Sequence, residues 1–293
     1  MPSTLLFRSL FVALVFAAGF GTALADPSAP DAGFGTNGVV IEDFGGVETG
    51  GKLYQFSTGK ILLAGNGSGV TMGHSFTRYN LNGTIDGTYG TGGTGTGFDG
   101  SLWGLTLLPG DVLMAAGDFS SGNLVDLNDA AVMRYTSTGA KDTAFATGGR
   151  SVFYLDPDAP ADEHATDVIV LQSGKLLVCG YLWKGGTDFD MVVLRLSAAG
   201  DLDPTFGDGG YFTFDYKGGV DKAWKVLELP DQSILVYGEV ENKAVFGAPA
   251  NVFFLKLTSE GQADTTFGGG GTGYATVITD VIARARPRSP RSW

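Results

Sequence analysis

The stretch Leu202-Asp203-Pro204-Thr205-Phe206-Gly207-Asp208-Gly209-Gly210 decides how this 293-residue chain is read. An acid stands three residues before an aromatic, and the aromatic opens a glycine-rich turn. Related copies begin at Asp31 (DAGFGTNG), Asp86 (DGTYGTGG), Asp142 (DTAFATGG) and Asp264 (DTTFGGGG), so successive starts lie 55, 56, 61 and 61 residues apart. A recurrence of this length marks one supersecondary unit copied and stacked along the chain.

Inside one period the apolar residues alternate with the strand period of two, which predicts four strands per unit. In the unit headed by Asp142 they are Arg150 to Leu155, Ala165 to Leu171, Lys175 to Cys179 and Met191 to Leu196. The next unit offers Tyr211 to Asp215, Ala223 to Leu229, Ser233 to Tyr237 and Val252 to Leu257. Tight polar turns link the second and third runs: Thr58-Gly59, Pro109-Gly110, Gln172-Ser173-Gly174 and Pro230-Asp231-Gln232. Both faces of one second strand are apolar, Val168 and Val170 on one side and Ile169 and Leu171 on the other, as a sheet held between two neighbours requires. The expected fold is all-β: a β-propeller of about four four-stranded antiparallel blades, either a closed ring or an incomplete array.

Composition limits what such a scaffold meets. Glycine supplies 47 residues, about twice the usual ~7%, while 43% of the chain is apolar, so the glycines punctuate a core-forming sequence. A formal charge of -12 argues against a nucleic-acid partner. The lone cysteine, Cys179, aligns with Ala64, Ala116 and Tyr237 in the other units and reads as a buried strand residue.

The segments GDLDPTFGDGG, SGKLLVCG and DFDMVVLRLSAAG resemble the bacterial delta-60 repeat family, and the likeness runs from about Asp31 to Val277. It implies propeller blades in a secreted or surface protein and brings no catalytic residues with it. Tyr89 in place of phenylalanine, and Phe145-Ala146 in place of Phe-Gly, depart from the family pattern.

Each fourth strand carries a cation eight residues before a signature acid: Arg78 and Asp86, Arg134 and Asp142, Arg195 and Asp203, Lys256 and Asp264. These are read as structural ion pairs, with a ring of cations around a channel anion as the alternative. In an up-and-down meander, the connections after the first and third strands emerge on one face, where they are long and varied. That face carries the candidate ligand-binding residues Trp183, Tyr181, His74 and His164, the first two placed to stack on a sugar or an aromatic partner. Its acids Asp126, Asp129, Asp188 and Asp190 are the candidate metal ligands. Calcium is the only cofactor they suggest, since hard cations favour oxygen-rich sites. Trp103 and Trp224 read as blade-packing residues.

Function then divides into two classes. One is a binding or surface-structural scaffold for an extracellular protein or glycan; the other is a carbohydrate hydrolase or lyase using loop carboxylates. No nucleophile elbow, phosphate loop, dinucleotide fingerprint or zinc spacing is present in the sequence. Residues 1–25 read as a secretory signal, with Arg8, an apolar run from Leu10 to Phe20, and Thr22-Ala23-Leu24-Ala25 before Asp26, so a secreted or periplasmic setting is expected. The repeat domain is assigned to 26–280. A basic Pro- and Ser-rich tail at 281–293 is expected to be disordered, and self-association is expected if the ring is open.

Overall fold

The computed structural model describes residues 29–41, 46–69, 73–95, 97, 100–119, 129–155, 162–241 and 250–277. The expected signal segment and basic tail lie outside them. Fifteen strands follow in order: β1 (Gly46–Gln55), β2 (Ile61–Gly69), β3 (Gly73–Tyr79), β4 (Gly100–Leu108), β5 (Val112–Phe119), β6 (Asp129–Tyr135), β7 (Arg150–Phe153) and β8 (Glu163–Val170). Then come β9 (Leu176–Gly185), β10 (Asp188–Leu196), β11 (Tyr211–Phe214), β12 (Asp221–Glu228), β13 (Ile234–Val240), β14 (Asn251–Leu257) and β15 (Tyr274–Val277). They form four antiparallel meanders: β1-β2-β3, β4-β5-β6-β7, β8-β9-β10-β11 and β12-β13-β14-β15, called sheets 1 to 4 below. The architecture is an all-β propeller of about four blades. No helix among the described residues is long and apolar enough to cross a membrane.

The blades are offset from the sequence units. The runs after the signatures at Asp142, Asp203 and Asp264 do not head their own units; they complete the preceding sheets, with β7 on β6, β11 on β10 and β15 on β14. The signature itself is the cause, because it folds back on the strand before it. Asp203 N donates to Arg195 O at 2.9 Å and Arg195 N to Gly210 O at 3.0 Å, so the chain leaves the turn antiparallel to β10. For the same reason Tyr274–Val277 finishes sheet 4 and does not close the ring against the first unit.

Alternation places the core between sheets. In β9, Val178 and Leu182 pack toward sheet 2 while Leu177 and Cys179 pack toward sheet 4, all of them buried. Val168 and Leu171 divide in the same way. Three clusters fill the spaces between sheets 1 and 2, 2 and 3, and 3 and 4. The remaining outward faces keep Leu53 of sheet 1 and Leu227 and Tyr237 of sheet 4 exposed, so Tyr237 departs from the buried position its alignment with Cys179 implies.

The signature turns hold the blades in sequence. Asp203 Oδ1 accepts from the Thr205 amide and hydroxyl, and Oδ2 accepts from Arg195 Nε and Lys175 Nζ, each at 2.6 Å. The Arg195 guanidinium lies 4.8 Å from the Phe206 ring and also donates to Ser259 O in the next unit, while Gly207 N donates to Glu260 O. The acid and the aromatic therefore cooperate: one charges the arginine's pocket and the other gives its planar face a platform. Asp86 repeats the arrangement with Arg78 and Lys60, and Arg78 stacks on Tyr89 at 4.5 Å, so tyrosine serves as well as phenylalanine. Arg134 meets Asp142 at 2.7 Å and Lys256 meets Asp264 at 2.9 Å. All four cations are thus engaged at signature turns.

Burial alone would raise the Asp86 and Asp203 carboxyls. Hydrogen bonds from Lys60, Thr88 and Arg78 to the first, and from Lys175, Thr205 and Arg195 to the second, instead hold both well below the usual carboxylate range. A depressed folded value contributes stability above the unfolded value of about 4, and that contribution is lost as pH falls through the folded one. The denaturation midpoint should therefore drop as pH falls from about 4 toward 2, and Asp203→Asn should flatten the slope. An unchanged slope in that variant would remove Asp203 from the account.

Candidate functional site at the mouth of the propeller

The first strands of successive sheets, β1, β4, β8 and β12, neighbour one another, and each carries one irregularity at the same place. The pairing register slips between Gly50 and Lys52, Leu102 and Gly104, Ala165 and Asp167, and Ala223 and Lys225. The extra residues are Gly51, Trp103, Thr166 and Trp224. A bulge of this kind bends the strand and re-aims the inserted side chain. The strand opposite must make room, and here it offers Gly117, Gly180 and Gly238 beside the bulged segments. A Cβ on Gly180 would sit 1.7 Å from His164 O, a distance only glycine avoids.

The bulges correct the packing role expected for the two tryptophans. Trp103 is 40% exposed and Trp224 half-buried, because each is the inserted residue and so escapes the alternation that buries its neighbours. Between them runs a connected series of side chains. Trp103 Nε1 donates to Asp118 Oδ2 at 2.7 Å, and Asp118 Oδ1 lies 2.9 Å from His164 Nδ1 in a polar contact too bent for a good hydrogen bond. His164 stacks on Tyr181 with ring centroids 4.5 Å apart, and Tyr181 meets Trp224 edge-on at 5.9 Å. Lys222 Nζ lies 4.6 Å from the centre of the Tyr181 ring and 4.8 Å from that of Phe189. Burial, followed by the charges of Asp118, Asp162 and Glu239, pushes the Tyr181 hydroxyl up to about 12, so it stays a neutral donor. Tyr181, expected to stack on a ligand, is itself buried at 7% exposure, so it supports an aromatic platform from beneath, and the open aromatic faces are those of Trp103 and Trp224.

Other expected site residues are distributed differently. Trp183 lies in β9 and Asp188 and Asp190 in β10, since the alternation continues almost to Gly185 and leaves only Gly186-Thr187 as a turn where a long loop was expected. Trp183 is half-buried, its indole donating to Gly186 O at 3.1 Å. His74 stands in β3 opposite Asn66, and its side chain lies outside the described ones. Asp126 is also outside the described residues. Asp129 opens β6 opposite Phe119 and is buried. Of the three expected metal ligands that are described, Asp190 joins a carboxylate cluster, and its companions there are Asp215 and Asp221.

That cluster sits where the β11–β12 connection crosses from sheet 3 to sheet 4. Its carboxylate oxygens lie within 4.8 Å of one another. Burial and the neighbouring charges of Asp215 and Asp188 push Asp190 up to about 6, and Lys184 opposes them. Asp221 is pushed up to about 7, by burial first and by Asp215 and Asp190, against backbone donors at Tyr216 and Glu241. Just past the bulges, Asp167 accepts from Lys225 Nζ at 2.7 Å, while burial and the Lys225 charge lower Lys52. A groove of about 580 Å³ at β7 and Gly200–Leu202 shares no residue with either the aromatic platform or the carboxylate cluster.

Comparison with known proteins supports a β-propeller repeat family. Residues 171–206 match a family described as a domain of unknown function (DUF5122) forming a β-propeller. No curated protein matches the sequence. Among solved structures, a protein of unknown function from Dyadobacter fermentans is similar at TM-score 0.46 and 14% identity, over 69% of this chain and 51% of its own. A polysaccharide lyase, an ulvan lyase bound to a GlcA–Rha3S saccharide, is similar at TM-score 0.46 and 10% identity, over 72% of this chain and 53% of its own. The chain spans about half the length of each.

Proposed function

We propose that the protein is a binding scaffold of the delta-60 repeat type, acting outside the cytoplasm, whose propeller mouth recognises a neutral glycan. The observation that carries this reading is the pair of bulges that turn Trp103 and Trp224 out of the blade packing and link them through Asp118, His164 and Tyr181. Aromatic faces cover the C–H surface of a pyranose, the half-buried carboxylate of Glu239 accepts from its hydroxyls, and the buried Asp118 holds the Trp103 indole in place. Half-exposed aromatics bordered by hydrogen-bonding groups suit such a ligand better than a dry protein interface would. The extracellular setting rests on the apolar segment Leu10 to Phe20 and its small-residue end.

The hydrolase reading needs two carboxyls about 5 to 9 Å apart flanking a sugar-sized cleft. The Asp190, Asp215 and Asp221 cluster does not offer that arrangement, since its ligand oxygens lie within 4.8 Å of one another and Asp221 is fully buried. Screening the protein on a panel of immobilised neutral and uronate-bearing glycans tests the proposal. Neutral chains should be retained, and Trp224→Ala should weaken retention about tenfold, worth ~1.4 kcal/mol, without lowering the melting temperature. Retention confined to anionic glycans, or unaffected by Trp224→Ala, would contradict it.

A further inference from the structure

We propose that Asp190, Asp215 and Asp221 form a calcium site that fastens the linker between sheets 3 and 4 to β10. Asp215 and Asp221 stand at the two ends of the segment DYKGGVD, which doubles back through Lys217 and Gly218, both at positive φ. Gly218 N donates to Asp215 Oδ1 at 2.6 Å, and Tyr216 N donates to Asp221 Oδ2. The segment thereby brings its two acids together, and Asp190 meets them from β10. Phe189 N donates to Gly219 O at 3.0 Å, which holds linker and strand in this relation.

The second observation comes from Asp221 itself. It is 0% exposed, its carboxylate is directed into the cluster, and Oδ1 is buried with no hydrogen-bond donor. A buried carboxylate oxygen without a donor costs free energy that a cation would recover. Asp188, next along β10, adds another buried oxygen, Oδ1, also without a donor. Lys217 of the linker lies over the Tyr216 ring at 4.7 Å, and Lys184 offsets part of the negative charge at Asp190.

Coordination preference selects the ion. Calcium holds oxygens at about 2.3 to 2.6 Å, so ligands on opposite sides of it stand about 4.6 to 5.2 Å apart, whereas magnesium requires about 4.2 Å or less. One carboxylate oxygen from each of the three acids lies within 4.8 Å of the others, inside the span a calcium ion bridges. Calcium tolerates the irregular coordination that three carboxylates, backbone carbonyls and water would provide, whereas magnesium demands near-ideal octahedral geometry.

The test is calorimetric titration of the chelator-treated full chain with calcium chloride and, in parallel, magnesium chloride, together with thermal melts. One calcium per chain is expected, with a Kd of about 10 to 1,000 µM, magnesium at least about tenfold weaker, and a melting temperature raised by roughly 5 °C at saturation. Asp190→Asn and Asp215→Asn should each weaken binding about tenfold or more. Both side chains reach solvent, so these variants remain folded and informative even if Asp221→Asn does not. No heat and no shift with the unsubstituted chain would overturn the proposal. Equal magnesium binding would overturn the choice of ion, and undiminished calcium binding by both exposed-acid variants would place the ion elsewhere.

Discussion

Asp203→Ala should lower the unfolding free energy by about 3 to 5 kcal/mol, the cost of leaving buried charge without its partner. Both members are largely shielded: the Arg195 side chain is 11% exposed and that of Asp203 8%. The substitution also frees Lys175 and removes the acceptor for the Thr205 amide and hydroxyl. Arg195→Met should destabilise less, because its methylenes can still cover Phe206 while the Asp203 carboxylate keeps Lys175. The comparison that isolates burial is Asp142→Ala, whose pair with Arg134 is 24% exposed on both sides and lacks a second cation, so a loss of about 1 kcal/mol is expected. Urea denaturation of the three variants measures the order. Equal losses for Asp142 and Asp203 would mean that burial does not set the strength of the signature pairs.

The second large effect links scaffold to site. Gly180→Ala would put a methyl group 1.7 Å from the His164 carbonyl oxygen, and the neighbouring atoms of the bulge, His164 C and Ala165 Cα, are backbone that cannot swing aside. Relief requires β8 to part from β9, at a cost of about 3 kcal/mol. The same parting moves His164 off Tyr181 and separates the two halves of the aromatic platform. The variant should therefore lose both stability and glycan retention. By contrast Gly174→Ala, where a Cβ would meet nothing within 4 Å, should cost only the strain of its positive φ, about 1 kcal/mol, and leave retention intact. Denaturation midpoints and glycan retention measured on the same preparations distinguish the two. Full retention by a folded Gly180→Ala would show that the bulge does not support the site.

Much of the scaffold is legible in the sequence because it rests on local repeats. The signature acid and aromatic recur because each turn needs the same pocket for a cation, and the double apolar faces of Val168 to Leu171 announce a sheet packed on both sides. Blade boundaries are less legible: the repeat shows where a unit recurs, but which neighbour β11 joins depends on the hydrogen bonds of the turn. The site is harder still. A bulge adds one residue to a strand, and in a run such as Leu102-Trp103-Gly104 the addition looks like ordinary alternation unless four copies are aligned on the opposing glycines. Gly65, Gly117, Gly180 and Gly238, each facing the residue before an inserted one, are that signal. Asp215 and Asp221 carry no local signature, since their meeting with Asp190 depends on how the linker leaves one sheet for the next.

The claim that the propeller mouth binds a neutral glycan through its bulged tryptophans is tested most directly by following intrinsic tryptophan fluorescence during titration with a retained oligosaccharide. The chain has four tryptophans, and the account places Trp103 and Trp224 at the ligand. Saturable change in the unsubstituted protein, abolished in a folded Trp103→Ala, Trp224→Ala double variant, is the predicted result. A binding curve of unchanged midpoint in the double variant would contradict the account and place recognition elsewhere on the protein.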